Sequence, residues 1–507
     1  MNMAKKIAAV MLMLCLLVPV LASCGGDGGD TTTAPNNSGD LGALTGDQVG
    51  TGDAGEIDMS GVLEVPEGIT FDGDEFTFLT GSLVSTCPFI FTNDEEDNAI
   101  DEAIYKRNLT IEEKYDIEIV EERVILDDYG KGNGAAYGKI SQTYESGDPV
   151  YNAAVSSAYD CGTLSMGGML VDLRNYGYVN LDKVWWDQSA NKQLTIFDRT
   201  YFTAGDISYI DDNFTYALAF NKEMAKANGL DDIYDVVTSG NWTYDKLYEY
   251  SRKTTVPDGD PAFSENDVYG FIGYPDCVWM AFSSSGATVA CLDDTGALTL
   301  TFNSEKNFNM LTKFTEFGAS ESFLDWMNTE GAKAWKTVYS NGQALFFGAT
   351  IDGIYKLRNT DLDYGIIPWP KYDEQQDSYR SGMSPNHISL FCIPNVGTDD
   401  DEHVEMTSIL VEAIACASDI VVEGFYEHNL RGKAIRDNES YETLDLVFGN
   451  KIFDLGYYYN VGGFRGGMST RFKTGSYDYA SLYSEQEVKA LQRIKEVNDL
   501  YKGLLDD

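Results

Sequence analysis

An α/β fold with a parallel sheet is what three features of this chain predict. Residues 75–80 set Phe76 and Phe78 against Thr77 and Leu79, the alternation of a strand. Across residues 96–115, Ile100, Ala103, Ile104, Ile111 and Tyr115 share one helical stripe. Residues 116–121 return to a strand pattern, with Ile117 and Ile119 on one face. A strand, a helix and a strand of these lengths make a right-handed crossover between parallel neighbours.

Later segments extend the pattern. Residues 150–156 read as a third apolar strand after another helix-sized interval, and residues 201–206 as a further one. Met406, Ile409, Leu410, Ala413, Ala417, Ile420, Val421 and Phe425 mark one long amphipathic helix, whose apolar face takes in Cys416 as a small buried residue. In open α/β sheets ligands sit beyond the carboxyl ends of the strands, so the loops after Thr80, Ser156 and Asp206 are candidate ligand loops.

The N-terminus carries a separate message. Lys5-Lys6 precede sixteen apolar residues, Ile7 to Ala22, and the run closes on Leu21-Ala22-Ser23-Cys24. A basic start, a short apolar stretch and small residues before the cut describe a secretory leader, and a membrane-spanning helix needs about 20 apolar residues. Small residues immediately before a cysteine resemble the lipobox of bacterial lipoproteins, which implies a leader over 1–24 and a lipid on Cys24. Residues 25–66, rich in Gly, Asp, Thr, Asn and Ser, read as a flexible linker.

The body beyond residue 66 is long enough for two or three domains with real cores. With 81 acidic against 36 basic residues the formal net charge is −45, which excludes nucleic acid as a partner and disfavours anionic lipid. No C-x-x-C pair occurs among the eight cysteines and no H-E-x-x-H among three histidines, so no cofactor or metal is expected. Asp211-Asp212 reads as a solvated acidic turn. Ser189-x-x-Lys192 and Lys473-Thr474-Gly475 fit penicillin-binding motifs, but Tyr458-x-Asn460 lies too close to Lys473 for that fold, and no G-x-S-x-G is present.

A family resemblance begins at Phe220-Asn221-Lys222. Gly229-Leu230-Asp231, Trp242-Thr243 and Asp245-x-Leu247 follow it in order. Gly342-Gln343-Ala344-Leu345-Phe346 and the segment Asp363-Tyr364-Gly365-Ile366-Ile367-Pro368-x-Pro370 continue the pattern, and Ile393-Pro394 closes it. Together these resemble the sugar-binding family 1 of the extracellular solute-binding proteins of bacterial ABC importers. The chain departs from that family in lacking a proline before Trp242, in an apparent insertion at 233–241, and in Ser381-Gly382-Met383 where relatives have paired glycines. Beyond Lys451 the likeness stops.

The resemblance implies a two-lobed, periplasmic-binding-protein-like α/β fold with a hinge. Lobe 1 is expected over 67–216 and 350–400, lobe 2 over 217–349 and 401–507, with crossings near 215–220 and 346–352. It implies no enzymatic activity, a carbohydrate ligand, and delivery to a separate ABC permease. It further implies a monomer on the outer face of the cell membrane, held there by lipid alone. An exported glycan-binding sensor or adhesin, and then an exported glycoside hydrolase, are the alternatives.

Sugars offer hydroxyls to hydrogen-bond and apolar faces to stack, so their sites combine carboxylates, amides and hydroxyls with aromatic platforms. By loop position and chemistry the candidates are Asp160, Trp186, Ser208 and Tyr209 in lobe 1, Trp279 in lobe 2, Asp352 after the 342–347 strand, and Asn386 in a polar loop before Ile388.

Overall fold

The computed structural model describes residues 51–52, 56–57, 59, 62–82, 91, 99–125, 132–230, 233–256, 267–327 and 338–503. The leader, Cys24, most of the linker and the loop expected to follow Thr80 lie outside the described residues. No helix among the described residues is long and apolar enough to cross a membrane.

Nine strands among the described residues build the two main sheets. In chain order they are β1 (Asp74–Ser82), β2 (Ile117–Ile125), β3 (Ala153–Ser157), β4 (Tyr216–Asn221), β5 (Tyr269–Gly273), β6 (Phe323–Asp325), β7 (Ala344–Thr350), β8 (Tyr364–Ile367) and β9 (Ser389–Cys392). The first sheet has the order β9-β3-β1-β2 and the second β6-β5-β7-β4-β8. Strands β3, β4 and β5 are buried on both faces, which explains why they are continuous apolar runs rather than alternating ones. The stripe on the helix Ala99–Tyr115 is buried as the sequence predicts, from Ile100 to Tyr115.

Each sheet has one strand that runs against its neighbours, β9 in the first and β4 in the second. Both are the strands on which the chain arrives from the other sheet. Their first residues therefore lie beside the carboxyl ends of parallel strands: Ser389 pairs with Ser157, and Tyr216 with Thr350. This brings the chain crossings to the ends of the sheets where ligand loops belong.

The course of the chain between the sheets differs from the expected boundaries. The crossing into β4 falls at Thr215–Tyr216, but β7 does not lead back. Tyr364–Ile367 stays in the second sheet, paired antiparallel to β4, because its apolar run completes that sheet's edge. The return comes between β8 and β9. Nor does 401–507 gather on one sheet: the helix Asp401–Ala417 packs on Ala99–Tyr115 beside the first, while Asn438–Phe448 packs on β8. The long helix predicted over 406–425 breaks at Ser418, whose hydroxyl bonds back to the Ile414 carbonyl and accepts from buried Arg107. Residues 201–206 form isolated bridges rather than a strand.

A two-residue pairing of Ser381–Gly382 with Lys451–Ile452 accompanies the crossings. Lys451 is buried there, its ammonium 2.6 Å from Asp211, 2.8 Å from Asp212 and 2.9 Å from Asp187. Asp211-Asp212, read from sequence as a solvated turn, is thus an internal ion cluster just before β4. Three carboxylates around one cation leave negative charge in excess, and burial raises the Asp211 carboxyl above its usual range.

Candidate ligand site

The second sheet delivers a cluster of aromatic and acidic groups at its carboxyl end. Tyr216 opens β4, Tyr274 and Asp276 follow β5, Trp326 follows β6, and Asp352 follows β7. The helix Cys277–Ser284 then carries Trp279, wholly buried. Its ring takes the edges of Tyr216 and Tyr457 at 5.2 and 5.9 Å, while Tyr274 lies 5.4 Å from Trp326. The Tyr274 hydroxyl donates to that of Tyr216 at 3.4 Å.

The first sheet contributes through the helix Ala158–Met166, which begins where β3 stops. Ser157 caps it, its hydroxyl accepting from the Asp160 N–H at 3.1 Å. This aims Tyr159 across to Arg465, on the helix Phe464–Thr474. One guanidinium N–H donates to the Tyr159 hydroxyl at 3.3 Å, and another to the Asp276 carboxylate at 3.1 Å. Ser469 donates to the second Asp276 oxygen at 2.8 Å. The guanidinium carbon sits 4.9 Å over the Trp279 ring. Burial disfavours the charge on Arg465, but Tyr159 and Asp276 outweigh it and hold the group firmly protonated.

The crossings supply the floor. Thr215 bridges to Met383, its carbonyl accepts from Ile351 N–H at 2.9 Å, and Ser384 N–H donates to the Phe214 carbonyl at 3.1 Å. His387 stacks on Phe214 at 5.0 Å, with its Nδ1 2.7 Å from the Ser384 hydroxyl. Burial pushes the imidazole down to about 4, against an upward pull from Asp352, so it is neutral at physiological pH. Arg465 is paired with Asp276 at 3.1 Å and Lys356 with Asp352 at 2.6 Å. Trp279 Nε1, Arg465 Nε and Asn386 Oδ1 are buried without a hydrogen-bond partner among the described residues. In a folded protein such atoms call for an explanation, and a ligand is one.

Of the sequence candidates, Trp279 belongs to this cluster, Asp352 acts electrostatically on His387, and Asn386 directly precedes His387 in the chain. Asp160 sits one residue from Tyr159, but its carboxylate turns inward to the Gly134 N–H at 3.1 Å and the Ser156 hydroxyl at 3.3 Å. Trp186 is packed elsewhere: its indole N–H donates to buried Glu412 at 2.8 Å and its ring rests against Phe391. Ser208 and Tyr209 are also interior, with Tyr209 stacked on Phe425 at 5.2 Å. Sequence reasoning missed Tyr159, Tyr274, Asp276 and Arg465. The turn Tyr274-Pro275-Asp276 after a five-residue apolar run was the available signal for two of them. Arg465 had none.

No family model matches the chain, and no curated protein matches it. Solved structures do. The galacto-N-biose/lacto-N-biose I-binding protein of the ABC transporter from Bifidobacterium longum, in complex with lacto-N-biose, matches 84% of this chain and 98% of its own. Its identity is 10% and its TM-score 0.55. An ABC substrate-binding protein from Listeria monocytogenes in complex with cycloalternan is 12% identical over 86% of this chain and all of its own, with TM-score 0.51. A cyclo/maltodextrin-binding protein complexed with maltotetraose is 13% identical over 84% and 96%, with TM-score 0.52. At these identities the likeness speaks for architecture, and it agrees with the two sheets and their crossings: the chain has the two-lobed α/β fold of the ABC solute-binding proteins.

Proposed function

We propose that this protein captures a sugar or oligosaccharide between its two lobes and delivers it to the permease of an ABC importer. One observation carries the reading. Aromatic rings, a carboxylate and orphaned hydrogen-bonding atoms meet where the strand ends of both sheets face each other, and Arg465 joins the two sides. Rings stack on the apolar faces of a sugar, and its hydroxyls both donate to Asp276 and accept from Trp279 and Arg465. Contacts to both lobes favour their closed arrangement, which a permease then recognises.

The solved structures of like fold are described as transporter binding proteins, several with bound saccharides, and this supports the reading. The protein performs no chemistry on its ligand. We further propose that it is exported, trimmed before Cys24 and held by lipid on the outer face of the membrane, as a monomer.

The test is thermal unfolding of the soluble chain lacking its first 24 residues against a panel of sugars, oligosaccharides and peptides. A ligand bound only by the folded state adds about 2.7 kcal/mol at 100 times its dissociation constant. A rise in midpoint with one glycan, recovered intact, supports the proposal. A peptide in its place, or hydrolysis of the glycan, overturns it.

A further inference from the structure

Cys161 and Cys392 lie far apart in sequence and meet in the interior. The register of the first sheet explains how. β9 pairs antiparallel with β3, setting Leu390 against Ser156 and Cys392 against Ala154. The helix Ala158–Met166 starts directly after β3 and folds back over this pair of strands. Cys161, in its first turn, points down on them: its Sγ is 3.6 Å from the Ser156 carbonyl and 3.7 Å from that of Leu390. Leu390 and Cys392 share one face of β9, because side chains alternate along a strand. Cys161, Leu390 and Cys392 lie in the same buried cluster, and both cysteines are fully buried. The other cysteines among the described residues are Cys277, Cys291 and Cys416.

We infer that Cys161 and Cys392 are joined by a disulfide in the mature protein. The inference rests on the proposed export, since disulfides persist outside the cytoplasm. Both thiols are free as the structure stands. The oxidant is the disulfide of an extracytoplasmic thiol–disulfide exchange protein. One cysteine thiolate attacks it to give a mixed disulfide. The second thiolate then displaces the carrier, which takes up the two protons the cysteines gave up and leaves as a dithiol. Burial raises the Cys161 thiol well above its usual range, so exchange is slow once the fold closes and the bond forms during folding. The bridge ties the strand returning from the second lobe to the helix that presents Tyr159. It fixes one wall of the ligand site without crossing to the other lobe.

The experiment uses full-length protein purified from the envelope of a host that exports it. The sample is unfolded in iodoacetamide without reductant, digested and analysed by mass spectrometry. A linked peptide pair containing Cys161 and Cys392, with Cys277, Cys291 and Cys416 alkylated, is expected. Alkylation of both Cys161 and Cys392 overturns the inference. The N-terminal peptide separates the causes. If it begins at acylated Cys24 and both thiols are alkylated, export stands and the disulfide alone fails; if it retains the leader, export and the disulfide fail together. As a second measurement, dithiothreitol lowers the melting temperature of the oxidised protein by several degrees but leaves that of Cys161→Ala unchanged. An equal response from both proteins counts against the bond.

Discussion

The guanidinium of Arg465 donates to the Asp276 carboxylate at 3.1 Å, and a second N–H of the same group reaches Tyr159, which belongs to the opposite sheet's helix. A fixed donor array and a one-third exposed carboxylate thus form a single unit at the meeting of the lobes. Arg465→Met and Asp276→Asn are each expected to weaken glycan binding tenfold or more, about 1.4 kcal/mol, in calorimetric titration. Arg465→Lys recovers little, because an ammonium cannot hold two partners in one plane.

Trp279 and Trp186 make a contrasting pair. Trp279→Phe should lower affinity tenfold or more while keeping the fold, since a smaller ring fills most of the volume but loses the indole N–H. Asp352→Ala is expected to act in the same direction. Trp186→Phe should leave affinity unchanged and lower the urea midpoint, because Glu412 loses a buried donor at a cost of about 1–3 kcal/mol. Equal effects of Trp279→Phe and Trp186→Phe on binding would sink this assignment of the site.

Lys451→Met removes the one cation among Asp187, Asp211 and Asp212. Stripping one partner from a buried ion cluster costs about 3–5 kcal/mol, read from chemical denaturation. The triple change of Lys451→Met with Asp211→Asn and Asp212→Asn should recover much of that loss.

Stability should also respond to pH through Glu412, which burial raises to about 7. A carboxyl whose folded value lies above its unfolded value holds its proton more tightly when folded. Its stabilising effect is therefore complete at low pH and is lost as pH rises through about 7. Glu412→Gln cannot ionise, so its melting temperature relative to the parent should climb between pH 5 and pH 8. His387, held at about 4, acts oppositely: its contribution is lost as pH falls from the ordinary histidine range toward 4.

The βαβ opening was legible because burial imposes periodicity: Phe76, Phe78 and the stripe from Ile100 to Tyr115 had to alternate as they do. The continuous strands β4 and β7 showed through motif resemblance rather than period, since both faces are covered. The second crossing was misplaced because a strand's sequence does not state which sheet it joins, and Tyr364–Ile367 is apolar enough for either. Loop position alone points to Trp279, Asp352 and Asn386 as candidates. Trp186 satisfied the same criteria, but only coordinates show that Glu412, on an otherwise apolar helix face, receives the indole N–H groups of both Trp185 and Trp186. Arg465 comes from the region where family likeness ends, and no local pattern marks a side chain whose partners lie about 190 and 300 residues upstream.

The Glu412 clasp has an optical consequence. With their N–H groups engaged by one buried carboxylate, Trp185 and Trp186 sit in a constant environment and contribute a steady emission. Trp242, whose N–H is held by the Pro368 carbonyl, does the same. Trp279 combines the two features that respond to a ligand at the junction, an unengaged N–H and the Arg465 guanidinium over its ring. Trp326 beside Tyr274 has an unengaged N–H as well. The intrinsic fluorescence of the protein therefore contains a reporter at the lobe junction, and the part of a glycan-induced spectral change that disappears in Trp279→Phe reads that junction directly.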